Sequence, residues 1–170
     1  MSDPIKHECG VAFIRLRKPF SYYLQQYGTA MYGLNKLYLL MEKQHNRGQD
    51  GAGLATIKTN VEPGHPFLYR SRSVALQPIS DLFSKMGEEI KEFEKHQPDI
   101  LKHPGLLKGH LPFLGELMLG HLRYGTQGKN DVAFCHPFIK KDIRPARNLA
   151  MAGNFNLVNT EELFDLININ

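Results

Sequence analysis

Cys9-Gly10-Val11-Ala12-Phe13-Ile14-Arg15-Leu16 (CGVAFIRL) is the stretch on which the fold turns. From Gly10 onward it is a β-rich apolar run, without the three- and four-residue recurrence of a helix. It reads as a buried strand with a thiol at its head, and Gly10 leaves room beside that thiol for a backbone or a substrate. A lone cysteine next to an apolar run is commonly just a small buried hydrophobe. The rest of the chain must supply the context.

Beyond this strand, Met31, Leu34, Tyr38 and Met41, with Leu37 and Leu40 beside them, recur at helical steps and predict one amphipathic helix within Tyr22 to His45. Gly48, Gly51 and Gly53 break the pattern, and Leu54 to Lys58 resumes an extended character, so a glycine-rich turn feeds a second strand. Ile79, Leu82, Phe83, Met86, Ile90 and Phe93 form the apolar stripe of a second helix. Pro98 and Pro104 punctuate the segment after it. Leu106 to Leu114 reads as a short helix or turn, and Leu117 to Tyr124 and Leu149 to Ala152 read as strands. Asn159, with Glu162 three residues on, has the spacing of a capping box and opens a helix over Glu161 to Leu166. No strand–helix unit carries a phosphate-binding glycine pattern. The expected class is therefore α+β, with helices packed on a largely antiparallel sheet.

The 170 residues suit one domain, and 42% apolar content is that of a globular chain. The longest apolar runs fall far short of the roughly 20 residues that a bilayer requires. Met1 to Glu8 carries Asp3, Lys6 and Glu8 and lacks the apolar core of a secretory signal. A cytoplasmic protein with no membrane association is expected. Cys9 and Cys135 can make no disulfide framework and belong to no C-x-x-C pair. The net charge of +4 comes from scattered Lys and Arg without interleaved aromatics, which argues against a nucleic-acid partner. His7, His45, His121 and His136 lack the spacing of zinc ligands, so no metal site is expected.

Four separated segments supply the context for Cys9. They are His7-Glu8-Cys9-Gly10-Val11, the turn Gln44-His45-Asn46-Arg47-Gly48-Gln49-Asp50-Gly51-Ala52-Gly53, the segment Gly120-His121-Leu122-Arg123-Tyr124-Gly125-Thr126-Gln127-Gly128, and Gly153-Asn154-Phe155-Asn156-Leu157-Val158-Asn159. In this order they resemble the glutaminase domain of the class II glutamine amidotransferases. The first resembles the processing site of precursors whose short leader ends in glutamate. The others resemble that family's Q-H-R-G-Q-D/E-G/A-A-G, G-H-V-R-Y-x-T-x-G and H-N-G-N-L-x-N elements. The arginine-glycine-glutamine turn and the tyrosine after Arg123 are similar to the phosphoribosylamine-forming branch. Glucosamine-phosphate synthases instead favour R-G-Y-D-S and R-W-A-T.

The resemblance implies an N-terminal-nucleophile hydrolase fold of stacked antiparallel β-sheets flanked by helices (αββα), incomplete within residues 9–170. It makes Met1 to Glu8 a leader whose removal frees the α-amine of Cys9. That amine, with an unperturbed pKa of roughly 8, is the base that activates the thiol. Arg123 would grip the α-carboxylate of glutamine as a planar fork, with Thr126 and Tyr124 at the same end of the substrate. Arg47 would hold the surroundings of the nucleophile. The Asn154 side chain and the Phe155 backbone N–H would form the oxyanion hole. Three departures stand out: Asn46 is inserted in the turn, Gly153 replaces the usual histidine, and Phe155 replaces the usual glycine. Cys135-His136-Pro137-Phe138 falls where the family has Q-P-F, so His136 is read as replacing a polar structural residue. About 75–112 is a helical insertion longer than the family's usual connection.

The partners implied are glutamine and a C-terminal phosphoribosyltransferase domain that this sequence lacks. The acidic residue that recognises the substrate's α-amine is expected beyond Asn170. Any Mg²⁺, phosphoribosyl pyrophosphate or iron–sulfur requirement belongs to the absent part, and no cofactor is expected here. These 170 residues read as a fragment, inactive alone, whose full-length form is a homo-oligomer; an uncovered strand edge would promote self-association. Two alternatives stay open. One is the glutaminase part of another class II enzyme, such as glutamate synthase, and the other is a non-enzymatic scaffold that kept the fold.

Overall fold

The computed structural model describes residues 8–62, 64–125, 131–154 and 159–168. Strands β1 (Gly10–Arg15), β2 (Gly51–Ile57), β3 (Leu68–Ser73) and β4 (Leu117–Arg123) form one sheet of order β1-β4-β2-β3, antiparallel throughout. Strands β5 (Phe138–Lys140) and β6 (Leu149–Met151) make a separate antiparallel pair. The helices are α1 (Phe20–Tyr27), α2 (Tyr32–Glu42), α3 (Pro78–His96), α4 (Pro104–His110) and α5 (Thr160–Asn168). The chain is thus α+β with antiparallel sheets. Among the described residues no helix is long and apolar enough to cross a membrane.

The pleat explains the layering, because alternate residues of each strand face opposite sides. Ala12, Leu54, Met118 and Leu122 join one face of the sheet, and α2 lies on it through Leu34, Leu37 and Met41. Helix α3 extends the cover over β2 and β3 with Ile79, Leu82 and Met86. Each fully buried aliphatic side chain contributes roughly 1.5–3 kcal/mol. Asp81 in the first turn of α3 accepts from the Ser73 hydroxyl at 2.6 Å and from Lys85 at 2.7 Å, tying the helix to the end of β3. These two donors hold its carboxyl below the usual range. At the other end of the sheet Lys108 of α4 meets Glu116 at 2.5 Å, and Glu116 also accepts from the Thr59 N–H at 2.8 Å.

Three sequence expectations are corrected. The single helix within Tyr22 to His45 is two helices, broken at Gly28, whose φ of 72° a residue with a Cβ adopts only at a cost. The apolar periodicity continues through the break because both helices pack on one core. The second correction concerns β1, which is only half buried: Gly10 and Ala12 are covered, whereas Val11 is 41% and Phe13 61% exposed. It is an edge strand, and the helices cover one of its faces. Finally, β3 and β5 are additions to the expected strands, since Leu68–Ser73 carries two arginines and two serines and gives no apolar alternation.

Candidate active site

The face of the sheet opposite α2 brings together several of the sequence-predicted site residues. Register pairs Gly51 with Arg123 and Gly53 with His121, so these four residues share that face at the C-terminal end of β4. The glycines make a floor without side chains. A Cβ on Gly53 would lie 2.0 Å from the carbonyl oxygen of His136, and one on Gly51 would lie 2.6 Å from Cys135 Sγ. The segment Cys135–Pro137, in which the His136–Pro137 peptide is cis, therefore rests directly on β2.

Cys9 lies at the head of β1, partly buried, and its Sγ accepts the Tyr124 N–H at 3.5 Å, just past the end of β4. The antiparallel pairing of Gly10 with Leu122 brings them together. The glycine-rich turn arrives from the other side. Gly48 fits against the Arg123 backbone, where a Cβ would stand 2.6 Å from the carbonyl carbon. The Asp50 N–H donates to the Arg123 carbonyl at 3.1 Å, and the Gly125 N–H donates to Asp50 Oδ2 at 2.7 Å. Asp50 thus clamps the backbone on both sides of Tyr124. Sequence reasoning misses this role, although an acid flanked by Gln49 and Gly51 in a turn is a signal for side-chain-to-backbone bonding.

Arg123 is 6% exposed, with its guanidinium 5.9 Å from the centre of the Phe134 ring, so it is not a solvated strand-end charge. Arg47 lies in a 3-10 turn, His45–Arg47, with its side chain exposed. Tyr124 is 37% exposed beside Cys9. Asn154 is exposed, and among the described residues no hydrogen bond joins it to Cys9. Thr126 and Phe155 lie outside the described residues.

Two histidines that lack zinc spacing turn out to sit at the centre of this face. His121 is 1% exposed with neither ring nitrogen hydrogen-bonded, and its ring centre lies 4.5 Å from that of His136. Burial first, then His136 and Arg123, lower its pKa to about 4 against an opposing contribution from the nearby Gly153 backbone, which lies outside hydrogen-bond geometry. His136 Nδ1 accepts the Gly153 N–H at 3.3 Å, and burial lowers its pKa too. Cys135 is fully buried, donates weakly to the Ser73 carbonyl at 3.9 Å, and burial pushes its thiol up. No group of three or more metal-ligating side chains assembles among the described residues.

No known family model and no solved structure matches the chain. It is similar to the amidophosphoribosyltransferase of Methanocaldococcus jannaschii, with 29% identity over 128 residues. That alignment covers 75% of this chain and 20% of the relative, so the chain spans a small part of the curated protein it resembles.

Proposed function

We propose that this chain is part of a glutamine amidotransferase of the N-terminal-nucleophile type and that Cys9 is its nucleophile. The observation that carries the reading is the meeting of three separated sequence motifs at one end of the sheet: the Cys9 sulfur, the Asp50 turn and the Arg123–Gly125 strand end. The similarity to an amidophosphoribosyltransferase supports the same reading and favours phosphoribosylamine as the product of the whole protein.

In this proposal, cleavage after Glu8 frees the Cys9 amine, which takes the thiol proton. The thiolate attacks the side-chain amide carbon of glutamine, and the C–N bond breaks as the nitrogen accepts a proton and leaves as ammonia. Arg123 holds the substrate carboxylate, with Tyr124 and Thr126 beside it, and Arg47 borders the turn. Asn154 and the Phe155 N–H receive the developing oxyanion, a contribution of about 2.7–4 kcal/mol for each donor. Water then hydrolyses the glutamyl thioester. Ammonia passes to a phosphoribosyltransferase domain, to which Mg²⁺ belongs.

Intact-mass measurement before and after treatment with a glutamine-analogue alkylator tests the reading. Loss of residues 1–8 and one adduct on Cys9 is the expected result. An uncleaved, unlabelled chain overturns it in favour of a non-enzymatic scaffold.

A further inference from the structure

We infer that His136 is a positioning residue for the oxyanion donor Asn154: its Nδ1 accepts the Gly153 N–H, and only the neutral ring can do so. Calling Asn154 a donor rests on the function proposed above; the link from His136 to Gly153 does not.

Three observations lead here. The backbone N–H of Gly153 is an unambiguous donor, so Nδ1 must hold a lone pair and the ring proton must sit on Nε2. Next, the ring is wedged between two others. His121 packs against it at 4.5 Å and Phe138 at 4.4 Å, while its own carbonyl is pinned on Gly53. The imidazole therefore cannot swing to another partner without moving the segment from β2. Last, burial and the Arg123 charge oppose a second proton and outweigh the Gly153 backbone, which acts the other way. His121 and Arg123 face it from β4, and Arg72 of β3 reaches the Cys135 carbonyl at 3.1 Å and the Ala133 carbonyl at 3.3 Å. Asp131 on the same segment is engaged with the Ala133 N–H at 2.8 Å, and the Cys135 thiol is buried in its neutral form.

The consequence is a fixed path from β4 to the donor. Residues His121 and Arg123 share one face of β4, the His121 ring bears on His136, and His136 holds the residue immediately before Asn154. Protonating His136 at Nδ1 would take away the acceptor of the Gly153 N–H and loosen this tie to the segment after β6. Asn154 would then lose its register relative to the nucleophile.

The test uses the full chain, ¹⁵N-labelled, with wild type, His136→Gln and His136→Leu compared. Glutamine can offer a carbonyl acceptor that does not titrate, whereas leucine offers none. In wild type the Gly153 amide resonance should shift along with the His136 ring as pH falls below the ordinary histidine range. In His136→Gln it should stay flat over the same range. A His136 ring carrying its neutral-pH proton on Nδ1, or a Gly153 amide indifferent to the ring's titration, overturns the inference even if the leucine variant does not fold. Glutaminase assays on the processed full-length protein, carrying the C-terminal part that the proposed function requires, supply the second readout. His136→Leu should lower kcat about 10²-fold with KM for glutamine little changed, and His136→Gln should lose the acid limb that wild type shows. Equal kcat in all three proteins would also overturn it. Absence of activity in wild type would instead overturn the proposed function, and the resonance titration would still decide the role of His136.

Discussion

The two faces of β4 are both buried, yet by different means. Toward α2 it presents Met118, Gly120 and Leu122 to Leu37 and Met41, a surface without charge. On the opposite side His121 and Arg123, at 1% and 6% exposure, lie under a loop that touches glycines. Apolar burial contributes to stability wherever it occurs. Burying an imidazole and a guanidinium costs free energy unless their polar atoms are satisfied. The first face holds the domain together by apolar packing; on the second, the His121 ring nitrogens are buried without a hydrogen bond, at a cost to stability. Variants on each side should therefore separate stability from chemistry.

The largest effect belongs to the chemical side. Cys9→Ala should abolish alkylation and reduce glutaminase activity by about 10³-fold or more, with the thermal midpoint little changed because the side chain is only partly buried. On the helical side, Leu37→Ala, fully buried against the sheet, should cost about 2–5 kcal/mol in denaturant unfolding. If instead Leu37→Ala abolished activity at full stability, or Cys9→Ala unfolded the protein, the division between the faces would be wrong.

The helical face is largely legible in the sequence and the chemical face only in pieces. Leu34, Leu37 and Met41 declare themselves by spacing, as do Ile79, Leu82 and Met86, because a packed helix must repeat its apolar residues every three or four positions. The break at Gly28 is hidden because it does not interrupt that repeat. Short polar strands such as β3 give no periodic signal; their place is set by pairing with β2, a long-range contact. The residues at the site can be named as motifs, yet the bonds among them cannot. Asp50 to Gly125 spans 75 positions and Cys9 to Tyr124 spans 115, distances over which only the register of β1 and β2 on β4 decides contact. For His121 and His136, spacing argues only against a metal, and no local pattern reveals that their rings meet.

Acidification should bear on the chemical face next. His121 is neutral when folded and has a pKa of about 4, against 6.5 unperturbed, so the unfolded chain binds the extra proton first. The stability associated with the neutral ring is fully present above pH 6.5 and lost as pH falls toward 4, by about 3 kcal/mol. Carboxylates titrate in the same window, so the decisive quantity is a difference. Urea unfolding of wild type and His121→Phe at about pH 7, above that window, and at about pH 4.5, near its lower end, should show a smaller loss in the variant. An equal loss in both would mean that the imidazole is hydrated or paired at low pH and that this face is less costly than its burial suggests.

The smallest effect is the most discriminating. Arg123→Lys keeps the charge but removes the planar fork and weakens the stacking on Phe134. If the guanidinium grips the carboxylate of glutamine through two charge-assisted bonds, KM should rise about 10- to 100-fold, the equivalent of losing roughly 1.5–3 kcal/mol. The value of kcat should move less, since a ground-state contact of this kind is also present in the transition state. The helical face is untouched, so the unfolding midpoint should change little. A large loss of stability with KM unchanged would assign Arg123 to holding Phe134 and the loop that carries His136. The two faces of β4 would then both be structural, and the glutamine carboxylate would need another partner.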